Sequence, residues 1–337
     1  MRLCSVVAVV FVIAATASAH HSPAAFDLDS QVTIQGAVSR FDWTNPHVYL
    51  YVHSMTAAGD TREWMIETDG ISILTRGGWS RDSVAIGDVV TVRANPDKNA
   101  QRNHALLISM ARADGVVLRP RSGSVAARSR ATSVSRVWDG LRGFSQRRFG
   151  TFRPTAAGMA AMKAYTEEVN PVANCVPFPS PFLQSMPYLN QIEVRGDTVV
   201  IRSEFFNVDR TVHMDGRGHP REGARTNQGH SIGRWEDGAL VVDTTLFAEH
   251  RLGNSQGLSF VPRLANMQGL SSGPRKRVVE RYQLSRDGTR LLINFVLEDP
   301  DYLAEPLTIA TEWDFAPTLQ LLGLGCDLEQ AQRFLFR

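Results

Sequence analysis

Short runs of alternating apolar and polar residues, separated by turn residues, recur through residues 21–114. They predict five strands, over 32–41, 47–53, 63–67, 89–94 and 105–111. A short helix is predicted over Ile71–Arg76, where an apolar stretch ends at Gly77-Gly78. Five strands with one helix between the third and the fourth are typical of the oligonucleotide/oligosaccharide-binding (OB) barrel. We therefore predict a small OB-like barrel in this segment.

From residue 190 onward the pattern predicts an antiparallel β-meander. Pairs of apolar, β-branched runs flank the two-residue turns Gly196-Asp197, Asp237-Gly238 and Asp287-Gly288. Further strands over 211–214 and 307–313 give roughly eight, and an antiparallel sheet of that size must close or stack to protect its edges. The fold class is thus mainly β, with a larger antiparallel barrel or sandwich that follows a short helical segment over 155–168.

The first 19 residues have the pattern of a cleaved secretory signal. Arg2 precedes an apolar run over 3–15, and the small residues Ala17-Ser18-Ala19 follow it. The apolar run is shorter than the roughly 20 residues needed to span a bilayer. We expect a mature chain that begins at His20, has no transmembrane span, and is periplasmic or secreted.

Residues 115–153 differ in composition from the segments on either side. They contain nine Arg and one Asp, with a stretch rich in Ser, Gly and Ala over 122–135. This composition predicts a linker between an OB-like domain at 20–114 and the second domain at 154–337. We expect the linker to be flexible at first and partly ordered around Trp138 and Phe144, and either to lie across acidic faces of its own domains or to contact an anionic partner. We expect no nucleic-acid partner, because an exported protein rarely meets one.

The overall composition excludes several classes of protein. The chain has 337 residues, 36 Lys and Arg against 34 Asp and Glu, and a net charge of +2, which excludes a wholly basic nucleic-acid binder. Its 43% hydrophobic and 21% charged residues exclude intrinsic disorder. Cys4 leaves with the signal, so Cys175 and Cys326 remain, and an oxidising compartment favours a disulfide between them over two buried free thiols.

Candidate catalytic residues in the second domain are His230, Asp243, Glu280 and Arg281. If their strand ends meet at one barrel mouth, they place a general base, an acid and an anion-binding group around a cavity. The alternative is a charge network that holds strands and loops in register. No spacing typical of a zinc site or a nucleophile elbow is present. Further candidates for binding a ligand are Arg217, Arg234 and His213.

The amino-terminal histidines offer a candidate metal site. The free amine and imidazole of His20 could chelate Cu(II), with His47 as a further ligand. The alternative is a solvated, frayed start. In that case His47, which follows Asn45-Pro46, orders the turn into its strand.

Two sequence signatures resemble known but uncharacterised families. His20-His21-Ser22 and Trp43-Thr44-Asn45-Pro46-His47 resemble a bacterial exported family of unknown function. The runs Gly-His-Ser-Ile-Gly-Arg-Trp-Glu over 229–236 and Leu-Val-Val-Asp-Thr over 240–244 resemble a second uncharacterised exported family of β domains. Neither resemblance implies a catalytic role for any residue.

These observations lead to three functional expectations. The first is an exported soluble protein that binds a small molecule or an envelope component, without a cofactor. The second is a hydrolase or lyase that uses His230 and Asp243 as acid and base, with Arg234 or Arg281 orienting an anionic substrate. The third is copper binding at His20. The sequence does not indicate an oligomeric state.

Overall fold

The structure is a computed structural model, and it describes residues 26–56, 59–121, 129–166, 169–255, 269–323 and 325–332. The predicted signal over 1–19 and the candidate copper ligand His20 lie outside these residues. The described part is mainly β, as predicted, and its strands form a small closed barrel followed by a larger one. No helix in the described ranges is long and apolar enough to cross a membrane.

The small barrel has the predicted OB topology. Its elements are β1 (Val32–Asp42), β2 (Tyr49–Met55), β3 (Thr61–Glu67), α1 (Ile71–Arg76), β4 (Val89–Pro96), β5 (His104–Arg112) and β6 (Val117–Leu118). The strand order is β3-β2-β1-β4-β5-β6, and a parallel pairing of β3 with β5 closes the barrel. Strand β1 pairs with both β2 and β4 and is broken by a bulge after Val38. A Cβ on Gly36 would lie 1.9 Å from the carbonyl oxygen of His53, so only glycine fits at this position of β1.

The larger barrel has nine strands in the order β15-β14-β13-β12-β11-β10-β9-β7-β16, and it closes through β15 and β16. They are β7 (Val137–Asp139), β9 (Leu189–Arg195), β10 (Thr198–Ser203), β11 (Val208–His213), β12 (His230–Glu236), β13 (Ala239–Thr245), β14 (Arg277–Leu284), β15 (Arg290–Glu298) and β16 (Leu307–Phe315). Among these nine described strands, β11 and β12 are the one pair that runs in parallel. Of the two predicted alternatives, the barrel is therefore the one observed.

The second half of the predicted linker belongs to the larger barrel. Strand β7, helix α2 (Leu141–Gln146) and strand β8 (Arg148–Phe149) lie within it, and β7 joins β9 to β16. Trp138 is fully buried in the core, and its indole donates a hydrogen bond to the Val134 carbonyl. The sequence predicted order around Trp138 and Phe144 within a linker, and burial of the Trp138 indole in the core is what orders this part of the chain.

The segment before β9 and the end of the chain are covalently joined. Helix α3 (Ala156–Lys163) begins after Thr155, whose Oγ1 accepts a hydrogen bond from the Gly158 amide. Cys175 and Cys326 form the predicted disulfide, across a sequence separation of 151 residues. The bond anchors the chain just before the short helix α4 (Leu328–Gln332).

Candidate functional site

A cavity of about 410 Å³ lies between the two barrels. The small barrel contributes the loop before β2, the end of β3 and the chain after β6, while the larger domain contributes α2 and the proline-rich segment before β9. Most side chains around the cavity are aliphatic or aromatic, with a few polar groups among them. This size and lining are typical of small-molecule sites in proteins.

The Trp-x-Asn-Pro-His signature builds one wall of the cavity. The Asn45 side chain accepts a hydrogen bond from the Ile71 amide at 3.0 Å and so caps α1, whose N-cap residue Gly70 has no side chain to do this. A Cβ on Gly70 would lie 2.8 Å from the Pro46 carbonyl oxygen, so glycine permits this close approach. The Asn45 carbonyl accepts a hydrogen bond from the Asp327 amide near the other end of the chain.

His47, on this wall, begins a line of alternating histidines and acids whose last two members, His104 and Asp97, do not line the cavity. Its Nδ1 donates to the Thr68 carbonyl at 2.9 Å and lies 3.6 Å from Glu67 Oε1. Glu67 Oε2 lies 3.5 Å from Nε2 of His104, and Nδ1 of His104 lies 3.3 Å from Asp97. Burial lowers the pKa of His104, but the bonds to Asp97 and Glu67 outweigh it and raise that pKa overall.

Charged groups from both domains meet around Tyr188. Arg121 holds Asp69 with two hydrogen bonds of 2.9 and 2.7 Å, both within the small barrel's side of the cavity. Arg76 forms a 2.9 Å ion pair with Glu204 of the larger domain. Burial, followed by the negative charges of Asp69 and Glu204, raises the pKa of the Tyr188 phenol, so its hydroxyl stays neutral.

Aromatic rings form the opposite side. Phe178 and Phe205 stack with ring centroids 5.8 Å apart and an interplanar angle of 7°. The Tyr188 ring packs against Phe205 at 5.1 Å, and the Arg121 guanidinium lies 5.2 Å from the centroid of Phe144. The cavity therefore pairs an aromatic surface with a polar edge formed by His47, Asp69 and Arg121.

Two of the predicted catalytic residues lie near each other on the outer face of the larger barrel. His230 begins β12 and Asp243 lies on β13, and a third residue, His219, joins them. His219 Nδ1 is 3.0 Å from His230 Nδ1, and His219 Nε2 is 3.6 Å from Asp243 Oδ1. The predicted ligand residue His213 stacks on His230 with ring centroids 5.2 Å apart. Neither His230 nor Asp243 lines the interdomain cavity.

The other two predicted catalytic residues do not join them. Glu280 points into the barrel, where Arg210 binds it at 2.7 and 2.5 Å and the Tyr282 hydroxyl donates to it at 2.6 Å. Arg281, the next residue, points outward and binds Glu236 at 2.9 Å. Successive residues of a strand face opposite sides of the sheet, so Glu280 cannot share a site with Asp243, which faces outward. Arg281 faces outward as well, but Glu236 holds its guanidinium.

The predicted ligand-binding arginines are held by nearby carboxylates. Arg234 binds Glu236, the same acid that binds Arg281, and Glu236 lies at the opposite end of β12 from His230. Arg217 binds Asp215 in its own turn. Arg234 and Arg281 therefore do not converge with His230 at one mouth of the barrel, and the charge-network interpretation fits both.

Comparison with known families covers the first barrel. Residues 8–106 match the sequence profile of a Family of unknown function (DUF6152). This match contains the Trp-x-Asn-Pro-His signature and α1, and it confirms the resemblance of the first segment to an uncharacterised family. The resemblance of the larger barrel to a second family stays a prediction. Comparison with curated proteins gives no match.

Several residues of these sites carried no sequence signal of their own. Arg121 lay in a segment that its composition assigned to a linker, and Tyr188 and Phe205 had no recognisable spacing. His219 stood eleven residues before His230, a separation that predicts contact only if the chain between them turns back. Among the residues that the structure describes, no group of three or more His, Cys, Asp or Glu side chains is arranged to hold a metal ion.

Proposed function

We propose that this chain is an exported binding protein that takes a small, mainly apolar molecule into the cavity between its barrels. The volume of about 410 Å³ and the aromatic lining carry the proposal. Such a volume accommodates a drug-sized or smaller molecule, and apolar burial supplies most of its affinity.

The distribution of charge around the cavity supports a ligand with one polar end. The stacked rings of Phe178 and Phe205 offer an apolar surface for its body. His47, Asp69 and Arg121 supply hydrogen-bonding groups at the other edge. Because the Arg121 and Asp69 charges already pair, a neutral polar group fits this edge better than a free ion.

Export rests on the first 19 residues and on the disulfide. The apolar run after Arg2 and the small residues at 17–19 are typical of a secretory signal. The bond between Cys175 and Cys326 is of the kind that persists in oxidising compartments. We infer a periplasmic or secreted location.

The proposal is tested by a substitution that places a large side chain in the cavity and leaves the rest of the surface unchanged. Val172 lines the cavity, so Val172→Trp should occupy part of it. The matched control is Val194→Trp, at a position on β9 that is 41% exposed. We expect the neutral fluorescent probe N-phenylnaphthylamine to bind wild type and Val194→Trp alike, and Val172→Trp at least about 10-fold more weakly.

A second measurement identifies the natural ligand. Native mass spectrometry of protein purified from its own compartment should show a retained small molecule in wild type and Val194→Trp, and none in Val172→Trp. Equal probe binding by all three proteins, with no retained molecule in any of them, would refute the proposal.

A further inference from the structure

The outer face of the larger barrel carries a line of polar side chains separate from the cavity. Val212, Ser231 and Val242 point inward and are buried, so the alternate positions on the same strands point outward. His213 ends β11, His230 begins β12 and Asp243 lies on β13, while His219 reaches them from the connection between β11 and β12.

Asp243 is a fixed carboxylate at one end of this line. Arg277 holds it with hydrogen bonds of 2.9 and 2.6 Å. Burial raises the pKa of Asp243, but the hydrogen bonds from Arg277 and the nearby His219 ring, whose Nε2 lies 3.6 Å away, outweigh burial and lower that pKa overall, so the group stays ionised. A charged carboxylate in this position favours a proton on the facing Nε2 of His219.

That proton determines the tautomer of the next ring. With Nε2 protonated, neutral His219 presents a lone pair at Nδ1, and only one of two facing ring nitrogens can carry the hydrogen. His230 Nδ1 is therefore the donor in the 3.0 Å contact with His219 Nδ1. The remaining nitrogen of His230, Nε2, then carries a lone pair.

His230 Nε2 has the surroundings that a general base needs. Within the described part of the chain no hydrogen bond is formed at this nitrogen, and His230 is partly exposed to solvent. Partial burial of the ring, and then the neighbouring His219, His213 and Arg217, lower the pKa of His230. The ring is thus unprotonated at neutral pH and is oriented by stacking on His213.

We propose that Asp243, His219 and His230 form a proton relay, with His230 as the general base of a second site that hydrolyses esters. His230 Nε2 takes a proton from water as the water oxygen bonds to the acyl carbon of the ester. The π electron pair of the C=O bond then moves onto the carbonyl oxygen. This electron pair re-forms the C=O bond as the bond between the acyl carbon and the alkoxide oxygen breaks. The departing alkoxide takes the proton from His230. The products are an acid and an alcohol. His219 and Asp243 are positioning residues in this scheme.

The test uses the full mature chain and the ester probe nitrophenyl acetate. We expect kcat/KM to rise with pH as His230 loses its proton, with a midpoint below the ordinary histidine value of about 6.5. His230→Gln should lower kcat/KM about 100-fold. Asp243→Asn should lower it about 10-fold and shift the midpoint, an effect that a merely structural role would not produce.

The control variant is His53→Gln. His53 is a half-exposed histidine paired with Glu63 at 3.2 Å on the small barrel, and its replacement should leave the rate unchanged. Nitrogen NMR of the histidines gives a measurement that does not depend on turnover, and it should show His230 with its proton on Nδ1. Equal rates for wild type and His230→Gln, or a proton on Nε2 of His230 in the spectrum, would overturn the proposal.

Discussion

Arg76 of the small barrel and Glu204 of the larger domain form an ion pair of 2.9 Å in which the Glu204 side chain has no exposure to solvent. Glu204 also accepts hydrogen bonds from the backbone amides of Leu189 and Leu322. Arg76 lies in the last turn of α1, the helix that the Asn45 side chain caps. One carboxylate thus ties both barrels and the end of the chain together beside the interdomain cavity.

Removing Arg76 should destabilise the protein strongly. Arg76→Ala leaves the buried Glu204 carboxylate without its charged partner, and we expect the free energy of unfolding to fall by about 3–5 kcal/mol. Urea unfolding measures this loss. Arg62→Ala, at an exposed position on β3, is the control and should change stability by less than about 0.5 kcal/mol. Similar losses for the two variants would contradict the prediction.

The Arg210–Glu280 pair inside the larger barrel should behave as a buried ion pair. Arg210 is 2% exposed and Glu280 is 0% exposed. Arg210→Met should lower the free energy of unfolding by about 3–5 kcal/mol, because it leaves the buried Glu280 carboxylate without its charged partner. Adding Glu280→Leu to this variant should recover most of the loss, since two apolar side chains leave no unpaired charge. Chemical denaturation of the single and double variants checks this, and a double variant less stable than Arg210→Met would contradict it.

The disulfide should contribute much of the stability of the larger domain. It closes a loop of about 150 residues, and the chain-entropy model assigns such a closure roughly 5 kcal/mol as an upper value. We expect the variant Cys175→Ser/Cys326→Ser to unfold at a lower urea concentration than the oxidised wild type. Wild type after full reduction should resemble the variant. Reaction of both thiols with an alkylating reagent, without reduction, would contradict the pairing.

His250 should make stability fall in mild acid. Its burial, followed by the nearby charge of Lys276, lowers its pKa to about 4, whereas an unfolded chain has the ordinary value of about 6.5. Between these values the unfolded state binds a proton that the folded state does not, so stability falls as pH drops. Across this pH range the free energy of unfolding should fall by roughly 3 kcal/mol.

Unfolding measured from pH 4 to pH 7.5 tests this pH dependence. His250→Asn should flatten the decrease in stability between about pH 6.5 and 4. His53→Asn, at an exposed histidine, is the control and should keep the wild-type slope. An unchanged slope in His250→Asn would contradict the role of His250.

Local patterns were sufficient to predict the strands and their turns. The hairpin around Asp237-Gly238 was predicted over 231–244 and is observed as β12 and β13, because alternating burial and a two-residue turn act within a few residues. Helix α1 matches its predicted bounds of Ile71–Arg76 for the same reason. The composition of 115–153 predicted a linker with some order around Trp138, but charge content does not reveal that Trp138 packs into the core of the larger barrel.

The sequence by itself determined the mainly β fold, the OB order of the first domain and the pairing of Cys175 with Cys326. Each depends on periodicity, turn chemistry or the number of cysteines, which are properties of the chain alone. Only the tertiary structure decided that Glu280 faces the core while Asp243 faces outward, that His219 joins Asp243 to His230, and that a cavity lies between the barrels. These depend on strand register, on how the loop between β11 and β12 folds back, and on contacts between residues far apart in sequence, which no local pattern encodes.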